Sequence, residues 1–293
     1  MIKLKADFKT DLIAHARRML TGDWGPEIAT IDNASILIRF FDAERRRIAA
    51  RPRSIEIGGD FICPTDRQDG WNSLQDKIRK GEDLGPHMSK LHSSLVNNDG
   101  LLNEWGAHHF HLGIVLDHGN PSYIERTGPL VFALVDDAVF RAINVYQHQD
   151  WHEISIIESL HRYWPEAIRR YRLHGIAGEP LTGAQRGRIR RVGSQAAVTV
   201  QDGTVYGSIG GPVSFAGTKF DSVRNADRWA EEVRLLQAAL TTDPSPLMPA
   251  LTEAGYQGEE EIEAQLQIVD GRYGVFFPRY NRLVTLEVFA QSA

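Results

Sequence analysis

The sequence predicts an α+β fold, with a central antiparallel sheet closed by a helix and α+β additions on its N-terminal and C-terminal sides. Three observations predict it. Leu130–Val135 is a continuous apolar run of strand length, and Val139–Tyr146 returns after a tight Asp136-Asp137 turn. Upstream, Ala107–Leu116 alternates as a strand does, until the breakers Asp117, Gly119, Asn120 and Pro121. Ile154, Ile157, Leu160, His161 and Trp164 then recur at helical spacing, with Pro165 as the expected stop. Turns of two to about a dozen residues do not accommodate a parallel crossover, so the three strands are expected to run antiparallel.

The flanks follow from the same periodicities. Leu12, Ile13, Ala16 and Leu20 place a short helix over Phe8–Leu20. Ala34–Phe41 and Ser54–Phe61 read as strands, and Trp71, Leu74 and Ile78 space a helix ending at Lys80. Gly81–Gly85 is a boundary, and Lys90 and His92 lead from it towards the histidine-rich strand. Beyond the core, Asp202-Gly203 and Asp270-Gly271 each mark a hairpin, the first between Ala196–Val200 and Thr204–Ser208, the second between Ile262–Ile268 and Tyr273–Phe277. Trp229, Val233, Leu236 and Leu240 make an amphipathic helix capped near Asp221-Ser222. Asp243–Pro249 reads as a linker and Leu283–Phe289 as a last strand. The expected domains are therefore residues 1–84, 85–180 and 181–293.

The chemistry is concentrated in the middle. Eight of the chain's eleven histidines lie between His108 and His174. Histidine titrates near neutrality and is also the commonest metal ligand. On the strand at 107–116, His109 and His111 point one way while His108 and Phe110 point the other. Cleaving RNA without a metal needs a base for the 2′-hydroxyl, an acid for the leaving 5′-oxygen and a cation near the phosphorane. His109 or His111 as base, His148 as acid and Arg126 as the cation meet that list. The same His109, His111 and His148 can instead be read as a three-ligand open zinc site, with Asp150 or His152 as further donors. A third reading is a non-enzymatic module that binds RNA or protein.

Glu125–His148, with its Leu-Val-Phe-Ala-Leu-Val-Asp-Asp core and Tyr-Gln-His ending, resembles the C-terminal half of RelE-type toxins, the YoeB branch in particular. Those are small bacterial ribonucleases in which two strands joined by an acidic turn end in a short Tyr/His motif. Leu101–Gly113, with its Trp-Gly and polar strand, falls where that family has a Trp-containing strand. The likeness covers residues 85–151. It implies a RelE-like meander plus helix and a cytoplasmic, toxin-like, metal-independent endoribonuclease. RNA is the implied substrate, the ribosome or a cognate antitoxin protein the implied partner, and no cofactor is expected. Tyr146 and His148 match the family motif, which implies that Tyr146 positions the substrate. Arg126 stands for the family's arginine, three residues further upstream, with Thr127-Gly128-Pro129 between.

Composition narrows the rest. At 293 residues and 42% hydrophobic the chain can bury a real core. A net charge of −5 argues against a surface that coats nucleic acid uniformly. Residues 162–191 are the exception, with arginines at 162, 169, 170, 172, 186, 188, 190 and 191 against Glu166 and Glu179, an excess of six positive charges. Tyr163, Trp164 and Tyr171 are interleaved, so Arg169, Arg172, Arg188, Arg190 and Arg191 are the expected RNA contacts. The single cysteine, Cys63, excludes an intrachain disulfide and any multi-cysteine zinc site. No apolar run approaches the roughly 18 residues of a membrane span, and the start Met1-Ile2-Lys3-Leu4-Lys5 lacks a signal-peptide core. A soluble, cytoplasmic protein without a membrane partner is the expectation.

Overall fold

A computed structural model describes residues 3–90, 94, 95, 99–148, 150–191, 194–213 and 218–289. In chain order the first half contains β1 (Lys3–Ala6), α1 (Phe8–Trp24), α2 (Ile36–Arg46), β2 (Ser54–Ile57), α3 (Gln68–Lys80) and α4 (Gly100–Trp105). The middle holds β3 (His108–His111), β4 (Leu130–Val135), β5 (Val139–Tyr146), α5 (Ser155–Tyr163), α6 (Pro165–Ile168) and β6 (Arg172–Leu173). There follow α7 (Gly183–Arg191), β7 (Val198–Thr199), β8 (Val205–Tyr206) and α8 (Phe220–Thr242). The chain ends with α9 (Met248–Glu253), β9 (Glu261–Val269), β10 (Arg272–Phe277) and β11 (Arg282–Phe289). The fold is mixed α and β.

Two compact units emerge: residues 1–45 with 222–293, and residues 46–221. They do not follow the expected divisions at 84 and 180. The reason is strand pairing, since β2 joins the histidine-bearing sheet and β1 joins β9 near the other end of the chain.

In the 46–221 unit the main sheet has the order β2-β5-β4-β3. The meander is antiparallel as expected: His109 stands opposite Phe132, and Leu130 opposite Tyr146. Asp136 makes the turn, its carboxylate accepting from the backbone N–H groups of Ala138 and Val139 at 2.8 and 2.7 Å. The sheet is nonetheless mixed, because β2 runs parallel to β5. One face packs Phe110, Val131, Ala133, Phe140 and Ala142 against Trp71, Leu74 and Ile78 of α3. The other packs Leu130, Phe132 and Ile143 against Ile156, Ile157 and Leu160 of α5. A smaller sheet, β6-β8-β7, includes the Asp202-Gly203 hairpin as two very short strands.

Several expectations are corrected. The strand expected over 107–116 stops at His111, because the Leu112 N–H turns to the Thr127 hydroxyl at 3.0 Å. Ile114, Val115 and Leu116 are exposed on an arm closed by a Leu116–Ile124 bridge. The strand expected over 54–61 is only Ser54–Ile57. Pro165 does not simply end a helix; it opens the short α6.

The other unit carries the largest misreading. Residues 34–41 are not a strand, since α2 covers Ile36–Arg46. Ile36, Leu37, Phe40, Phe41 and Ala43 are all buried, which is helical spacing, whereas two-residue alternation would set Leu37 and Phe41 beside Arg39. Phe40 and Phe41 pack on Trp229 of α8, with ring centres 5.3 and 5.5 Å away. The helix expected over 8–20 runs on to Trp24, and the linker expected over 243–249 is a helical turn leading into α9. Its sheet has the order β1-β9-β10-β11. Asp270 and Gly271 make the β9–β10 turn with φ of 51° and 71°, the conformation an Asp-Gly hairpin requires.

Candidate active site

α4 sets the stage for β3. Asp99 caps the helix by accepting from the Leu102 N–H at 3.0 Å, and Gly106, at φ 66°, ends it and turns the chain into the strand. Trp105 donates its indole N–H to the carbonyl of Trp151 at 2.7 Å, anchoring the loop between β5 and α5. Glu104 is no surface carboxylate. It pairs with the buried Arg186, whose guanidinium lies 4.6 Å above the Trp105 ring.

β3 presents His109 and His111 on the face covered by α5, as its alternation predicts. Both are buried, 6% and 1% exposed. The third ring comes from beyond β5, where His148 is exposed on a turn held by Asp150, whose carboxylate accepts from the Gln147 N–H at 2.8 Å. The three rings form a triangle, with centres 6.3 Å (His109–His111), 6.2 Å (His109–His148) and 5.9 Å (His111–His148) apart. Trp151 closes one side, 5.1 Å from both His109 and His148.

The hydrogen bonds define what these rings can do. His111 Nδ1 accepts from the Thr127 N–H at 3.0 Å, so in the neutral ring the proton sits on Nε2. The Thr127 carbonyl lies 3.2 Å from the same Nδ1, so the opposite tautomer finds a partner in the same peptide. His87 donates its Nδ1–H to the His111 carbonyl at 2.9 Å and so pins the strand end. Both nitrogens of His109 and Nε2 of His111 are buried without a hydrogen-bond partner among the described residues.

Electrostatics follow. Burial drives the His111 pKa down to about 3, and the charge of Arg126 and the other two rings push the same way. Burial also lowers His109; Asp99 opposes this, while His148 and Arg126 add to it. Both are therefore neutral at pH 7. Arg126 is itself half-buried, donating to the Met88 carbonyl at 2.6 Å with its guanidinium 5.8 Å from the Tyr123 ring centre. Arg126 acts on both rings and disfavours a positive charge on either.

Comparison with family models, with curated proteins and with solved structures finds no match. The site is read from its own geometry.

The structure brings His109, His111 and His148 together, with Arg126 close enough to act on two of them. Tyr146 lies elsewhere: its ring stacks on Phe132 at 4.8 Å and its hydroxyl shares a 3.1 Å hydrogen bond with Ser155. Its place is between sheet and α5. His152 sits near Glu153 at 3.9 Å, and His161 bonds Tyr206 and Asp202, so neither belongs to the triangle. Among the described residues no three His, Cys, Asp or Glu side chains stand ready to hold a metal as they are. Trp151, Thr127, Asp99 and His87 were not picked out as site residues. Trp151, three positions after His148, had a signal in its spacing; the others have none short of the fold.

The basic segment is not one surface. Arg186 is buried against Glu104, Arg162 pairs with Asp60 at 2.7 Å and Arg169 with Glu166 at 3.4 Å. Arg172 and Arg188 are exposed, while the side chains of Arg190 and Arg191, like His92, lie outside the described residues.

Proposed function

We propose that the protein is a metal-independent endoribonuclease, toxin-like in the RelE/YoeB manner, that cleaves RNA by attack of a 2′-hydroxyl on the adjacent phosphate. The observation that carries this is the convergence of three imidazoles at the end of the sheet, within the field of Arg126. His148 faces solvent and is the ring that meets the scissile phosphate, donating to the leaving 5′-oxygen. His109 or His111 is the base in this reading: burial leaves both rings neutral and able to take a proton, though less basic than an ordinary imidazole. Arg126 stabilises the charge that builds on the phosphorane. The β4–Asp136-Asp137–β5 pair leading to His148 supports the RelE-like reading, and Arg169, Arg172 and Arg188 are exposed arginines placed to meet the RNA backbone.

The test is cleavage of single-stranded RNA in EDTA. Products with 2′,3′-cyclic phosphate ends and a block by 2′-deoxy substitution at the cleaved position are expected. Cleavage of the deoxy substrate, or activity abolished by EDTA and restored by zinc, would overturn the reading.

A further inference from the structure

The triangle has a second property that acid–base chemistry leaves unused. We infer that His109, His111 and His148 bind a divalent transition ion of the zinc type, reversibly, as an inhibitor of the chemistry assigned to the same rings. Binding stands on the geometry alone; the inhibitory consequence rests on the proposed ribonuclease reading.

Rings that share one tetrahedral ion at Zn–N of about 2.0–2.1 Å have centres roughly 5–5.5 Å apart. The observed separations are 5.9–6.3 Å. Each therefore needs to close by about 0.4–1.3 Å on that estimate. His148, exposed and beyond the last residue of β5, can move towards the other two, while the 6.3 Å between His109 and His111 closes by rotation of His109, whose nitrogens hold no hydrogen bond among the described residues. A second observation points independently to a ligand. His109 is 6% exposed with neither nitrogen hydrogen-bonded among the described residues, and Nε2 of His111 is in the same position. Leaving a buried polar group unpaired is unfavourable, and a coordinated ion removes that cost.

The surroundings supply what ligation requires. A metal-bound histidine donates its other ring N–H to a fixed acceptor, most often a carboxylate or backbone carbonyl. For His111 that acceptor is present: the Thr127 carbonyl lies 3.2 Å from Nδ1, so the ring can pass to the Nδ1–H tautomer and turn an Nε2 lone pair inward without changing its partner residue. Arg126 opposes a cation here, while Asp99 acts on His109 with the opposite sign. That balance suits an ion that comes and goes rather than a resident one.

The experiment titrates chelator-stripped protein with Co²⁺ alone, reading the visible bands of tetrahedral cobalt, and then displaces it with Zn²⁺. One ion per chain is expected. His148→Ala, a change at an exposed residue, should weaken binding by more than the ~10–100-fold lost when a merely supporting residue is removed. His152→Ala should leave it unchanged. No cobalt band, or a band of equal strength in His148→Ala, overturns the site. In parallel, RNA cleavage should fall with added Zn²⁺ and return with EDTA; stimulation or indifference overturns the inhibitory role. A cobalt band in protein that does not cleave RNA keeps the metal site and sinks the ribonuclease reading instead.

Discussion

The two compact units bury different things. Among the described residues, the unit of residues 1–45 and 222–293 has a core of aliphatic and aromatic side chains around Trp229, with Asp42 and Ser222 as its buried polar members. The unit of residues 46–221 buries Arg46, Arg53, Arg186, Lys219 and four histidines. Its cations are mostly spent on carbonyls: Arg53 on Asp136 at 2.7 Å, Arg46 on Ser94 at 2.6 Å, Lys219 on Asn103 and Gly211. Buried charge of this kind is weak evidence for stability and needs full pairing to be tolerated. His87, His109, His111 and Arg186 each keep at least one buried nitrogen without a hydrogen-bond partner among the described residues, and His109 keeps two. One unit buries few polar groups, whereas the other accepts many where chemistry is proposed.

The sharpest test of that contrast is His148→Ala. RNA cleavage should fall by about 10²–10⁴-fold, the usual worth of a general acid, with the thermal midpoint nearly unchanged because the residue is exposed. Trp229→Ala should do the reverse, destabilising by about 3–5 kcal/mol in denaturant titrations while cobalt binding by the folded fraction is retained. Loss of cobalt binding there would break the separation.

Acid should also divide the units. His87, His109 and His111 have pKa values lowered by burial, against His15 in the other unit. A histidine lowered in the folded state takes up its proton only on unfolding. Its contribution is intact above about pH 6.5 and is lost as pH falls towards the folded value, which is about 3 for His111, at about 1.4 kcal/mol per pH unit for each such ring. Hydrogen exchange at pH 4.5 should therefore show β3 and β4 opening before β9 and β10. The opposite order would refute the comparison. A smaller effect of the other sign is expected of His109→Leu, which removes buried nitrogens without partners and should stabilise by about 1–3 kcal/mol in thermal melts. Smallest of all, Arg172→Ala with Arg188→Ala should flatten the salt dependence of RNA affinity by less than two units of slope.

What was legible in the sequence was local. The β4–β5 hairpin was readable because an apolar run, an Asp-Asp turn and a second run are contiguous, and the shared face of His109 and His111 follows from alternation alone. The helix at 36–46 was misread because Ile36-Leu37-Ile38 is apolar on every face, and only Trp229 against Phe40 and Phe41 decides which periodicity holds. The pairing of Glu104 with Arg186 joins positions 82 residues apart, and nothing in either neighbourhood announces the other. Tyr146 was assigned to the substrate on a motif, but its hydroxyl is held by Ser155, nine residues on, once α5 folds back over the sheet. Distances within one element could be read; meetings between elements could not.

The brevity of β3 bears on how the molecule keeps to itself. An edge strand with a free ladder invites another chain to add a strand, and proteins guard against this with short or covered edges. β3 is four residues long, buried at all four, and the carbonyl at its end is taken by His87. The edge that carries the histidines is thus a poor template for intermolecular pairing, so the sheet ends where the site begins.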